Sequence, residues 1–174
     1  MKTLAFLRHA KSDWGAPGLN DFDRPLNPRG RDAARRVGRE LKRRDLRFDL
    51  ILASPAERVG QNLAEAGEEL GESLEAQFDR RIYLAEPETL IALVRNVPDD
   101  VGSLLLVGHN PGTEQAVRAI TEDDSNGFRT KAAAKYPTGA MAIIDLPVDR
   151  WADVGAEKGR ISALILPREL SDQG

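Results

Sequence analysis

The chain has 174 residues, 41% of them hydrophobic and 30% charged, with a net charge of −3 and no cysteine. That length suits one domain that buries its core without a staple, and the lack of cysteine removes disulfides, zinc–thiolate sites and cysteine nucleophiles together. The slightly acidic balance gives no global pull toward nucleic acid or anionic lipid, and no run approaches the ~20 apolar residues of a membrane span.

Met1-Lys2-Thr3-Leu4 leads straight to Arg8 and His9 with no signal-peptide core. The expectation is a cytoplasmic protein forming one domain over residues 1–174. Leu4–Leu7 reads as a strand buried on both faces, followed by a loop through Gly15, Pro17, Gly18 and Asn20. Asn27-Pro28 looks like an N-cap and first helical position, and Ala33, Val37 and Leu41 carry a helix to about Asp45. Phe48–Ala53 is a second strand. Ser54-Pro55-Ala56-Glu57 matches a capping box, and Val59, Leu63, Ala66 and Leu70 extend that helix to Gly71.

A short strand is expected at Arg81–Leu84, a helix from Pro87 to Val97 and a third apolar strand at Ser103–Val107. Gly108-His109-Asn110-Pro111 ends that strand and caps another helix. Residues 121–135 are polar and read as loop, and Ala140–Leu146 and Ile161–Leu166 read as closing strands. Strands alternating with helices predict a three-layer α/β/α sandwich on a mainly parallel sheet. The first helix carries Arg29, Arg31, Arg35, Arg36 and Arg39. Charge runs of this kind are usually solvated faces, here opposed by Glu57, Glu65, Glu68, Glu69 and Glu72, rather than nucleic-acid surfaces.

The chain has two histidines, and both follow apolar strands. Strand C-terminal ends in a parallel sheet share one edge, where ligands bind, so His9 and His109 should face one pocket. Either alone is as readily structural; two on one edge favour function. Arg8 precedes His9, and Arg58 lies near the start of the helix after the second strand, so two guanidinium groups join them. Such groups hold phosphate oxygens bidentately, and the natural guest is a phosphorylated substrate.

Leu7-Arg8-His9-Ala10-Lys11-Ser12 resembles the Arg-His signature of the histidine phosphatase superfamily, which has the phosphoglycerate-mutase-like fold. Ser54-Pro55-Ala56-Glu57-Arg58-Val59-Gly60-Gln61 resembles its Ser-Pro-x-x-Arg-x-x-Gln segment, with Asn62 where a threonine is frequent, and Gly108-His109-Asn110-Pro111 its late Gly-His element. Arg24-Pro25-Leu26 and Tyr136-Pro137-Thr138-Gly139 look most like the small bacterial SixA-type phosphohistidine phosphatases. The resemblance implies a phosphatase needing neither metal nor cofactor, with His9 as nucleophile and Arg8, Arg58 and His109 holding phosphoryl oxygens. It also implies Glu86, in Leu84-Ala85-Glu86-Pro87, as proton donor, against the alternative of a carboxylate complementing a helix dipole. The implied partner is a phosphohistidine protein; a small phosphomonoester substrate, or a phosphate-binding module without turnover, is the alternative. Two distant histidines without cysteine give no metal-ligand spacing, and Asp21-Phe22-Asp23 does not directly follow an apolar strand as paired phosphatase aspartates would.

Overall fold

In the computed structural model, residues 1–15 and 17–170 are described. Among them, β1 (Lys2–Arg8), β2 (Leu50–Ala53), β3 (Gln77–Phe78), β4 (Ser103–Gly108), β5 (Met141–Leu146) and β6 (Arg160–Ile165) form one sheet in the order β3-β2-β4-β1-β5-β6. β5 pairs antiparallel with both neighbours, while the β1–β4, β4–β2 and β2–β3 pairs are parallel.

The central strands carry unbroken apolar runs, Leu4–Leu7 and Leu104–Val107, because helices cover both faces. Leu4, Phe6, Leu104 and Leu106 pack with Leu90, Val94, Val117 and Ile120 of α3 (Pro87–Arg95) and α4 (Gly112–Ile120), and with Ala132 of α5 (Phe128–Ala134). Ala5, Leu7, Leu105 and Val107 face the opposite way, onto Val37, Leu41, Val59 and Leu63 of α1 (Pro28–Arg43) and α2 (Glu57–Leu70). This is the expected three-layer α/β/α sandwich.

Several local signals act as read. The Asn27 side chain accepts from Gly30 N at 2.8 Å and caps α1, with Pro28 in its first turn. Gly71 ends α2 at φ +81°, where an L side chain is disfavoured. Gly30 is required by contact, since a Cβ there would lie 2.0 Å from Lys11 O; α1 is thereby seated against the segment that follows His9. The basic face of α1 meets acidic α2: Arg31 and Arg35 pair with Glu65 at 3.0 and 2.6 Å, and Arg39 with Glu69 at 3.1 Å.

Three expectations are corrected. Arg81–Leu84 is no strand: Arg80–Ile82 forms a 3-10 turn begun by Asp79, whose carboxylate accepts from Arg81 N at 2.9 Å. Ile82 belongs to one core and Tyr83 packs against the other, so a turn produced the alternation that a strand would show. The polar stretch 121–135 contains α5, whose buried position is Ala132 alone, too little for an apolar stripe. Ser54 does not cap α2, which begins at Glu57 with Ala56 as its uncapped N-cap.

Candidate active site

Parallel register brings the site together. Arg8 pairs with Gly108, and Ala53 with Val107, so the next residues, His9, His109 and Ser54, leave the sheet at one edge. His9 N donates to Gly108 O at 3.2 Å, and Ser54 N to Val107 O at 3.1 Å. The two imidazole centroids are 5.0 Å apart.

Arg58, in the first turn of α2 and 1% exposed, bridges them. Its Nε lies 3.3 Å from His9 Nε2, and its Nη2 lies 3.3 Å from His109 Nδ1. These contacts assign the tautomers. His9 Nδ1 is 2.7 Å from Ala10 O; a carbonyl only accepts, so Nδ1 carries the hydrogen and Nε2 keeps its lone pair. A guanidinium only donates, so His109 Nδ1 accepts and its Nε2–H donates to Ser54 Oγ at 2.7 Å. Asn62 Oδ1 accepts from Ala10 N at 2.9 Å, which steadies the carbonyl that orients His9.

Burial pushes the His9 pKa down to about 4, aided by the positive charges of Arg58, Arg8 and Arg24 and opposed by the Ala10 carbonyl. Burial, His9 and Arg58 push His109 down to about 3. Both rings are therefore neutral near neutral pH. The sign for stability follows, because between pH 4 and 6.5 the unfolded chain binds protons that the folded one refuses. Stability is complete above pH 6.5 and falls as the solution is acidified through that window. With only two histidines in the chain, the loss from pH 6.5 to pH 5 should be roughly 2–3 kcal/mol, read from urea unfolding at a series of pH values. A flat profile there would mean that the rings are not held neutral.

Around this cluster stand residues that the motif reading missed. Asp21 accepts from Arg58 through both its backbone O, at 2.6 Å, and Oδ2, at 3.0 Å, and from Arg24 Nη2 at 2.8 Å. Tyr83 O–H also donates to its carboxylate. Burial alone would raise the Asp21 pKa, but the hydrogen bonds from Tyr83, Arg24 and Arg58 outweigh it and hold the carboxyl well below its usual range. Arg24 stacks 3.4 Å from the ring centre of Trp14, which is 80% exposed. Arg8 Nη1 donates to Tyr136 O at 2.9 Å, while its buried Nε has no hydrogen-bond partner.

A cavity of about 520 Å³ opens over these groups, lined by Arg8, His9, Arg58 and His109 together with Asp21 and Arg24. Four of the five expected site residues thus share one cavity. Glu86 is exposed at the N-cap position of α3, outside the cavity lining, and its side chain caps nothing; Leu84, two residues earlier, lines the cavity. Among the described residues, no group of three His, Asp or Glu side chains could hold a metal ion, and no helix is long and apolar enough to cross a membrane.

Comparison with known proteins agrees with this geometry. The profile of the histidine phosphatase superfamily, branch 1, matches residues 4–83. An uncharacterized protein of Mycobacterium tuberculosis is 34% identical over 164 residues, covering 93% of this chain and 100% of that protein. The crystal structure of a candidate phosphohistidine phosphatase SixA from Agrobacterium tumefaciens superposes with a TM-score of 0.79 at 29% identity, over 95% of this chain and 98% of the other. A protein from Nakamurella multipartitia, named likewise, superposes at 0.80 with 26% identity, over 95% and 96% of the two chains.

Proposed function

The chain belongs to the histidine phosphatase superfamily and is a metal-independent phosphatase, and from that premise we propose that it hydrolyses phosphohistidine on a protein through a covalent phospho-His9 intermediate. The observation that carries this is the tautomer of His9. Its Nδ1–H is committed to Ala10 O, which leaves the lone pair on Nε2, where it accepts from Arg58 Nε at 3.3 Å on the cavity wall. A neutral imidazole with its lone pair on that nitrogen is a competent nucleophile once the phosphoryl group draws the Arg58 N–H to itself.

In the first step the Nε2 lone pair bonds to phosphorus while the bond from phosphorus to the substrate nitrogen breaks. The leaving imidazole departs with a proton. Water then attacks phosphorus, the Nε2–P bond breaks, and inorganic phosphate leaves with His9 neutral again. Arg58 and Arg8 hold the equatorial oxygens as charge builds on them, and His109, whose Nδ1 accepts from Arg58 and whose Nε2–H is given to Ser54, orients that guanidinium. Asp21, ionised by its three donors, competes with the phosphoryl group for Arg58 and is no acid while those bonds last. Glu86 is the proposed proton donor, with an uncommitted side chain at the start of α3. Phosphohistidine asks little of such a donor, because protonated imidazole leaves readily. The SixA-named structures, similar along almost the whole chain, and the exposed Trp14 beside the cavity support a protein substrate.

The test compares a phosphohistidine peptide with p-nitrophenyl phosphate and an alkyl phosphate, all in excess chelator. The expected result is chelator-resistant turnover with the highest kcat/KM on the peptide. Equal or lower values on the peptide would sink the phosphohistidine assignment. In the same assay Glu86→Gln should lower the alkyl phosphate rate by about 100-fold and spare p-nitrophenyl phosphate, whose leaving group needs no proton. Equal, small effects on both would remove Glu86 from the mechanism.

A further inference from the structure

Beside the His9 cavity lies a second one of about 650 Å³, and the two share Lys11, Arg29 and Thr138 as a common wall. Lys135 and Arg168 line its far side, while Asp32, the carboxylate in its lining, is paired with Arg36 at 2.8 Å. Most arginines of this chain are matched to carboxylates or carbonyl oxygens. Among the described residues, five Lys or Arg side chains have no hydrogen bond, ion pair or ring contact: Lys11, Arg29, Lys42, Lys135 and Arg168. Four of these five meet in this cavity.

Chance placement would scatter unmatched cations over a surface where solvent and counter-ions serve them equally well. Here they converge on the wall shared with the catalytic cavity, and an anion resting there would meet several positive charges and no free carboxylate. The remaining lining is apolar and stiff, from Pro28, Pro137 and Pro167, which suits the hydrocarbon part of a chain lying across it. All four cations are exposed, a rim arrangement that captures a protein surface rather than enclosing a small ligand.

We propose that this second cavity is a subsite for an acidic side chain of the protein substrate, close in the chain to the phosphorylated residue. The proposal rests on the protein-phosphatase reading above and narrows its substrate class to phosphorylated segments with an Asp or Glu nearby. A space of this size spans roughly three extended residues, which sets the expected separation. Both anions of the substrate, the phosphoryl group and the carboxylate, would then be held by one continuous basic surface with Lys11 and Arg29 between them.

The experiment uses two phosphohistidine peptides that differ in one residue, Glu or Gln, placed three positions from the phosphohistidine. Wild type should turn over the Glu peptide with about tenfold higher kcat/KM, a preference that fades as salt is raised. Lys135→Glu with Arg168→Glu, two exposed changes outside the His9 cavity, should abolish or invert the preference and leave p-nitrophenyl phosphate hydrolysis unchanged. Equal rates on the two peptides in wild type would overturn the proposal, as would a double variant that keeps the preference. A loss confined to fructose 1,6-bisphosphate, run in parallel, would overturn it in favour of a small bisphosphate. If wild type releases no phosphate from either peptide, the phosphohistidine reading fails by itself. The subsite is then judged by binding of the unphosphorylated Glu and Gln peptides to wild type and to the double variant; tighter binding of the Glu peptide, lost in the variant, supports it, and equal binding overturns it.

Discussion

His9→Ala should abolish phosphate release, lowering kcat by about 10⁴-fold or more on every substrate, because it removes the atom that bonds to phosphorus. The effect should fall on chemistry and not on folding. His9 follows the end of β1 and is 8% exposed, yet the backbone bond from its N to Gly108 O survives the change, as does the bond from Ala10 N to Asn62. Unfolding free energy at pH 7 should shift by about 1–2 kcal/mol at most. The decisive measurement is a rapid quench into alkali followed by mass spectrometry. Wild type should carry phosphate on His9 during turnover, and the variant none. A variant retaining wild-type rates, or phosphate trapped at another residue, would end the proposed mechanism.

Arg58→Lys should be the next most damaging substitution. The guanidinium reaches Asp21, His9 and His109 at once, in a pocket where it is 1% exposed. Lysine keeps the charge but offers one compact ammonium in place of a planar fork. It cannot span both imidazoles and still present two donors to a phosphoryl group. Loss of one such preorganised donor set costs about 10²–10³ in kcat. Stability should fall too, by about 1–2 kcal/mol, because the Asp21 carboxylate loses its bond from Arg58 but keeps those from Arg24 and Tyr83, a shift that melting curves would register. Activity within tenfold of wild type would show that Arg58 serves the fold alone.

The two histidines of the site were legible because each directly follows an apolar strand, and parallel register does the rest: once Arg8 lies beside Gly108, residues 9 and 109 must be neighbours. Arg58 was legible through its place near a helix start after β2. Asp21, Arg24 and Tyr83 were not, because each reaches the site from an irregular segment. Asp21 lies in a 3-10 turn, Arg24 just beyond it, and Tyr83 after a second such turn. Local patterning carries no information about where such a turn will dock. Ser54 shows a different failure. The string Ser-Pro-Ala-Glu satisfies a capping rule, but the hydroxyl accepts from His109 Nε2 instead, and the helix starts three residues later. A residue that fits a structural motif was claimed by the site. Residues 121–135 were misread for want of buried positions, since a seven-residue helix with Ala132 as its buried side chain has no periodicity to detect.

The reversed direction of β5 has a consequence for how such a protein could be remodelled. Parallel strands deliver their ends to the cavity and then leave it, whereas β5 begins there, with Gly139 N bonded to Arg8 O at 2.9 Å and to His9 O at 3.0 Å. The stretch between α4 and β5 is therefore a cassette. Its exit is bonded to the backbone of His9, and its entrance is held where Thr121 Oγ1 donates to Val117 O at 2.7 Å. Exchange the exposed side chains between those two anchor points, leaving Tyr136 to accept from Arg8, and one wall of the second cavity is rebuilt while His9, Arg58 and His109 keep their spacing. Selectivity and chemistry are in this sense separately editable, and Lys135 lies on the editable side.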